Sequence, residues 1–143
     1  MEKIKESVTI NADMDTIMGL LLSAKLVPRW YEGADTAEAS EDFPAPGSTL
    51  KTSYKVAGMD LKSTLTVVEL DPGTALKYTV EGPIKGTFDW LFDVGDDNVT
   101  VTHVVEYEMS GGAIGKLAMP LVHRTNKSNA KKTMVNLKKL AER

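Results

Sequence analysis

The most conspicuous polar residue in this sequence is His103, which stands inside an otherwise apolar alternation of Val99, Val101, Val105, Tyr107 and Met109. An imidazole changes charge near neutral pH, so such a residue could act as a general base. The plainer alternative is a core or cavity histidine satisfied by a neighbouring group. Glu6 is similarly out of place, because it interrupts the apolar row Ile4, Val8 and Ile10. Glu6, His103 and Tyr107 are therefore the catalytic candidates, with Tyr54 and Tyr78 as further phenols, and no motif assigns them roles. His103, His123 and Glu6 could also be imagined around a metal ion, yet they share no local ligand spacing, so no metal site and no cofactor are expected. The chain has no cysteine, which excludes disulfides, thiol nucleophiles and thiolate ligands.

Positioning these residues requires strands. Lys3 to Ile10 alternates as a half-buried strand. Asn11 or Asp13 can cap a short helix whose Met14, Ile17, Met18, Leu21 and Leu22 fall at helical spacing. Pro28 bars a smooth continuation, and Arg29 to Gly33 reads as a second brief turn carrying Trp30 and Tyr31. Ala34 to Ser40 fits an edge strand. From Ser48 the alternation is sustained: Leu50, Thr52, Tyr54 and Val56, a turn at Ala57-Gly58, then Leu61, Ser63, Leu65 and Val67. Asp71-Pro72-Gly73 turns the chain into Leu76, Tyr78 and Val80, and Gly82-Pro83 turns it into Phe88, Trp90 and Phe92. Short turns between strands with no intervening helix predict an antiparallel meander. Gly111-Gly112 ends the strand region. One long helix follows, with Met119, His123, Asn126, Ala130, Met134, Leu137 and Ala141 along one face and Leu117, Leu121 and Leu140 beside it. The middle of that stripe is polar, and Pro120 belongs to the first turns or marks a kink.

Composition limits the function classes. With 143 residues the chain suits a single domain, 1–143, and by surface scaling buries roughly two-thirds of its unfolded surface. An apolar fraction of 42% with 26% charged residues is that of an ordinary globular chain, and no apolar run is long enough to span a bilayer. A net charge of −3 argues against nucleic acid. The first residues, Met-Glu-Lys-Ile-Lys-Glu, form no apolar signal core, so the expected compartment is the cytoplasm. Lys127, Lys131, Lys132, Lys138 and Lys139 read as a solvated helix face, and the seven methionines as gap-fillers or an adaptable lining.

Several short motifs carry a resemblance across the whole chain. Ile10-Asn11-Ala12-Asp13 before Met14-Asp15-Thr16-Ile17-Met18 resembles the opening motif of the START-like, polyketide cyclase/Bet v 1-related superfamily, with Asp13 where proline is usual and Met18 where tryptophan is common. Trp30 with Gly33, the Pro46-Gly47 turn, the hairpin exit Val68 to Gly73 and the strand Asn98 to Thr102 are similar to further motifs of that family. The resemblance implies an α+β helix-grip fold: a curved antiparallel sheet of six to seven strands around the long C-terminal helix, enclosing an apolar cavity. It also implies three function classes: binding or transport of a small hydrophobic molecule, a cyclase, aromatase or dehydratase, and a chaperone-activator type of interaction domain. The first is preferred, because no motif positions an acid or base and the outward strand faces are mostly solvated.

In that fold the expected lining is Trp30, Tyr54, Leu65, Tyr78, Phe88, Trp90, His103, Val105, Tyr107, Leu117 and Leu121, around a volume of roughly 300 to 1,000 Å³. Trp30, Tyr31 and the Gly47 turn are expected at a mouth beside the N-terminal half of the last helix. The first and last strands pair antiparallel, which places Ile10 near Val99 and Glu6 near His103, where the two side chains would grip a ligand's polar end. The protein is expected to be a monomer or weak dimer.

Overall fold

The computed structural model describes residues 1–109 and 112–143, with side chains described for 1–109 and 117–143. Its elements are β1 (Glu2–Ile10), α1 (Met14–Leu21), α2 (Val27–Trp30), β2 (Ala34–Ala39), β3 (Thr49–Val56), β4 (Met59–Asp71), β5 (Ala75–Glu81), β6 (Ile84–Val94), β7 (Val99–Met109) and α3 (Gly112–Ala141). The strands form one seven-stranded sheet in the order β1-β7-β6-β5-β4-β3-β2, antiparallel throughout. This is the α+β helix-grip architecture that the family resemblance implies. Gly111, expected to end the strand region, lies outside the described residues. Among the described residues no helix is long and apolar enough to cross a membrane.

Local chemistry explains the boundaries. Asp13, not Asn11, caps α1: its carboxylate accepts the Thr16 amide proton at 2.8 Å, and the Thr16 hydroxyl together with that amide holds the carboxyl below its ordinary range. Pro28 sits in the first turn of α2, where a missing N–H costs nothing. A bulge between Val67 and Glu69 turns Val68 outward and brings Leu70 back to the inner face. Gly33 has φ +93°, and a Cβ there would lie 2.5 Å from the Tyr54 ring, so only glycine lets that ring pack at the start of β2.

The register β1–β7 pairs Ile10 with Val99, Glu6 with His103 and Glu2 with Tyr107. The inner face of the sheet and the inner stripe of α3 make the core, in two clusters. One gathers Ile10, Ile17, Trp30, Trp90, Met134 and Leu137; the other gathers Ile4, Leu61, Ile84, Tyr107, Val122 and Ala130. At its far end α3 is tied to β1: Lys138 donates to the Thr9 carbonyl at 2.7 Å, and Glu142 accepts the Asn11 amide at 2.8 Å. The buried stripe of α3 runs through Val122, Ala130, Thr133, Met134, Leu137 and Ala141. Leu117 and Leu121, expected beside it, are instead 83% and 50% exposed, because they project from the opposite side of the helix. Pro120 lies inside α3 without ending it.

Candidate functional site

A cavity of about 80 Å³ lies at the seam between the two clusters, beneath α3. Of the expected lining, Trp30, Tyr54, Leu65, Tyr78, Phe88, Trp90, Val105 and Tyr107 are on its wall. Leu117 and Leu121 are not; the α3 side is supplied by Asn126 and Ala130 instead. The volume is also well below the expected range, because aromatic rings fill much of the space. Tyr31 stacks on Phe88 at 6.2 Å between centroids, and Trp30 meets Trp90 edge-on at 5.6 Å.

The aromatic segment after α1 is therefore wall rather than gate. Trp30 is buried, and its indole N–H donates to the Leu20 carbonyl at 3.2 Å. The segment is fastened to the C-terminal half of α3, not the N-terminal half: the Glu32 amide donates to Thr133 Oγ1 at 2.9 Å, and Asn136 Nδ2 donates to the Trp30 carbonyl at 3.2 Å. The Gly47 turn is bonded to Val67 and does not line the cavity.

Glu6 and His103 are opposite one another in the register, as expected, but His103 is engaged elsewhere. Its ring is fully buried, lies flat on Trp90 with centroids 3.8 Å apart, and stands behind the cavity wall. Nδ1 is 3.0 Å from the Asp89 carbonyl oxygen and Nε2 is 3.2 Å from the Tyr31 hydroxyl. A carbonyl oxygen only accepts, so Nδ1 carries the proton and Nε2 must accept from Tyr31. Burial pushes the imidazole down to about 4, the Asp89 bond opposing in part, which leaves a neutral ring with both nitrogens occupied. The paired grip of Glu6 and His103 on a ligand is thereby corrected: Tyr31 and a backbone carbonyl satisfy the histidine instead.

A second polar group forms where α3 crosses the other end of the cavity. The Tyr107 hydroxyl is 2.8 Å from His123 Nδ1, and His123 Nε2 is 3.3 Å from the Glu2 carboxylate. Tyr54 donates to Asn126 Oδ1 at 2.8 Å and accepts from Asn129 Nδ2 at 2.9 Å. Burial pushes the Tyr107 hydroxyl up to about 12 and raises Tyr31, Tyr54 and Tyr78 as well, so all four tyrosines on the wall are neutral hydroxyls near pH 7. Sequence reasoning noted the polar stripe of α3 but gave Asn129 and Glu2 no part. The signal was present: His123, Asn126 and Asn129 recur every three residues, so they share one helix face.

A sequence-family profile described as "Polyketide cyclase / dehydrase and lipid transport" matches residues 1–142. Among solved structures, a Thermus thermophilus protein superposes with a TM-score of 0.82 at 13% identity, covering 98% of this chain and 97% of that one. The Zhui aromatase/cyclase from Streptomyces sp. R1128 superposes at 0.79 with 16% identity, over 99% and 94% of the two chains. A START superfamily protein from Mycobacterium smegmatis does so at 0.72 with 13% identity, over 96% and 98%. No curated protein matches the chain. At these identities the superpositions establish the fold, while the profile spans nearly the whole sequence, and on that match the chain belongs to the polyketide cyclase/dehydrase and lipid transport family.

Proposed function

We propose that this chain is a cytoplasmic single-domain binder, monomeric or weakly dimeric, that holds or carries a compact hydrophobic molecule between the sheet and α3. One observation carries the reading: a cavity whose wall is mainly aliphatic and aromatic, with a few tyrosine hydroxyls placed among them. That combination, apolar surface for affinity and sparse polar groups for orientation, is how small-molecule sites are built. At about 80 Å³ the cavity suits a small occupant. A longer lipid or polyketide requires the side chains over it to move apart. Conversion is the weaker reading, since His103 is buried, neutral and doubly bonded.

Native mass spectrometry of protein purified without denaturation tests this. The expected result is a small apolar molecule travelling with the protein and released on unfolding. Protein that is bare, and whose cavity aromatic NMR signals stay unmoved by any compact aromatic compound, overturns the proposal.

A cyclase- or dehydratase-type reading has one observation in its favour, the chain Tyr107, His123 and Glu2, which could pass a proton between cavity and solvent. Turnover that disappears in Tyr107→Phe while ligand affinity is retained would establish it; a ligand recovered chemically unchanged excludes it.

A further inference from the structure

The protons of three tyrosine hydroxyls on the cavity wall are all committed to acceptors within the protein. Tyr31 must donate to His103 Nε2, because His103 Nδ1–H is held by the Asp89 carbonyl. Tyr54 donates to Asn126 Oδ1. In a neutral His123 the Nε2 proton faces the Glu2 carboxylate, which leaves Nδ1 as the acceptor for the Tyr107 hydroxyl proton. The Trp30 indole N–H is likewise committed, to the Leu20 carbonyl.

What remains on these oxygens is lone pairs. Tyr31 keeps two. Tyr54 accepts one proton from Asn129 and keeps one lone pair. Tyr107 gives its proton to His123 Nδ1, so toward the Asn126 amide it can only accept, and at least one lone pair of Tyr107 stays free. The hydroxyls of Tyr78, Thr52 and Ser63 also line the cavity, and each can turn to serve either kind of partner. They accommodate a ligand's polar group without choosing between donor and acceptor. The choice falls to the three committed tyrosines.

We infer that the pocket selects apolar molecules that donate hydrogen bonds, bearing a hydroxyl or N–H group, over molecules of the same shape whose polar atoms only accept, such as ethers and ketones. A donor completes a bond to Tyr31, Tyr54 or Tyr107 and extends chains that already run outward through His103 and His123, where each bond polarises the next. A pure acceptor bonds only to the hydroxyls that can turn and leaves the lone pairs of the three committed tyrosines unpaired, which is the larger penalty. This inference rests on the binding function proposed above and specifies its ligand class.

Indole and benzofuran test it, being nearly identical in shape but carrying N–H in one case and a ring oxygen in the other. Each is titrated into the protein at mildly alkaline pH, and affinity is read from cavity aromatic and amide NMR shifts. Indole is expected to bind about tenfold more tightly than benzofuran. In Tyr31→Phe and Tyr107→Phe the ratio should shrink toward one, and if one variant fails to fold, the other and the wild-type ratio still decide. Equal affinities, or a preference for benzofuran, overturn the donor selectivity while leaving small-molecule binding intact. Failure of both probes to bind counts against the binding function itself and removes the selectivity with it.

Discussion

The Tyr31 hydroxyl and His103 Nε2 lie 3.2 Å apart across a sequence separation of 72 residues, joining the segment after α2 to the middle of β7. This bond, with the Asp89 carbonyl on the other ring nitrogen, makes His103 a structural member of the wall. It also makes the fold dependent on a neutral imidazole.

Acid should therefore weaken the protein through His103. The folded ring titrates at about 4 against an ordinary 6.5, so as pH falls the unfolded chain takes up the proton first. The stabilisation is complete above 6.5, declines below it, and is exhausted once pH passes about 4, a loss of about 3 kcal/mol. Urea unfolding across this range should show the slope, and His103→Gln should flatten it. A wild-type slope that survives in the variant would assign the acid sensitivity to other groups.

The two sides of α3 should respond differently to truncation. Leu137 is fully buried, and Leu137→Ala is expected to cost about 2 to 5 kcal/mol. Leu121→Ser, on the exposed side, should stay within about 0.5 kcal/mol of wild type. Thermal or urea denaturation of the pair checks which face of the helix meets the sheet.

Thr133 is buried and receives the Glu32 amide proton, so it ties the aromatic segment to α3. Thr133→Val keeps the shape and removes the acceptor, with an expected cost of about 1 to 3 kcal/mol. Amide exchange at Glu32 should quicken by more than exchange in the central strands. Uniform acceleration across the molecule would show only global destabilisation.

Ala130 is the buried α3 residue on the cavity wall. Ala130→Leu should fill the cavity and weaken indole binding by about tenfold or more, while stability changes by no more than about 1 kcal/mol because the added groups enter existing space. Indole binding undiminished in this variant, by the same NMR titration, would place the ligand elsewhere.

Sequence alone determined the elements and most of the wall. Period-two alternation marks β3 to β7, since a half-buried strand must alternate, and it identifies Tyr54, Leu65, Tyr78, Phe88, Trp90, Val105 and Tyr107 as inward-facing. The β1–β7 pairing came from the family resemblance, in whose fold the first and last strands pair antiparallel, and with Ile10 near Val99 it puts Glu6 opposite His103. Three features were decided only by tertiary structure. The side of α3 that meets the sheet depended on packing, since leucines at 117 and 121 fit the helical period of either stripe when read as a pattern. The cavity volume depended on how far Tyr31 and Trp30 enter the space left by the sheet, a distance that no spacing encodes. The partners of His103 depended on side-chain reach. Register placed it opposite Glu6, but a hydrogen bond requires atoms within about 3 Å, and only the folded chain brings Tyr31 and the Asp89 carbonyl that close.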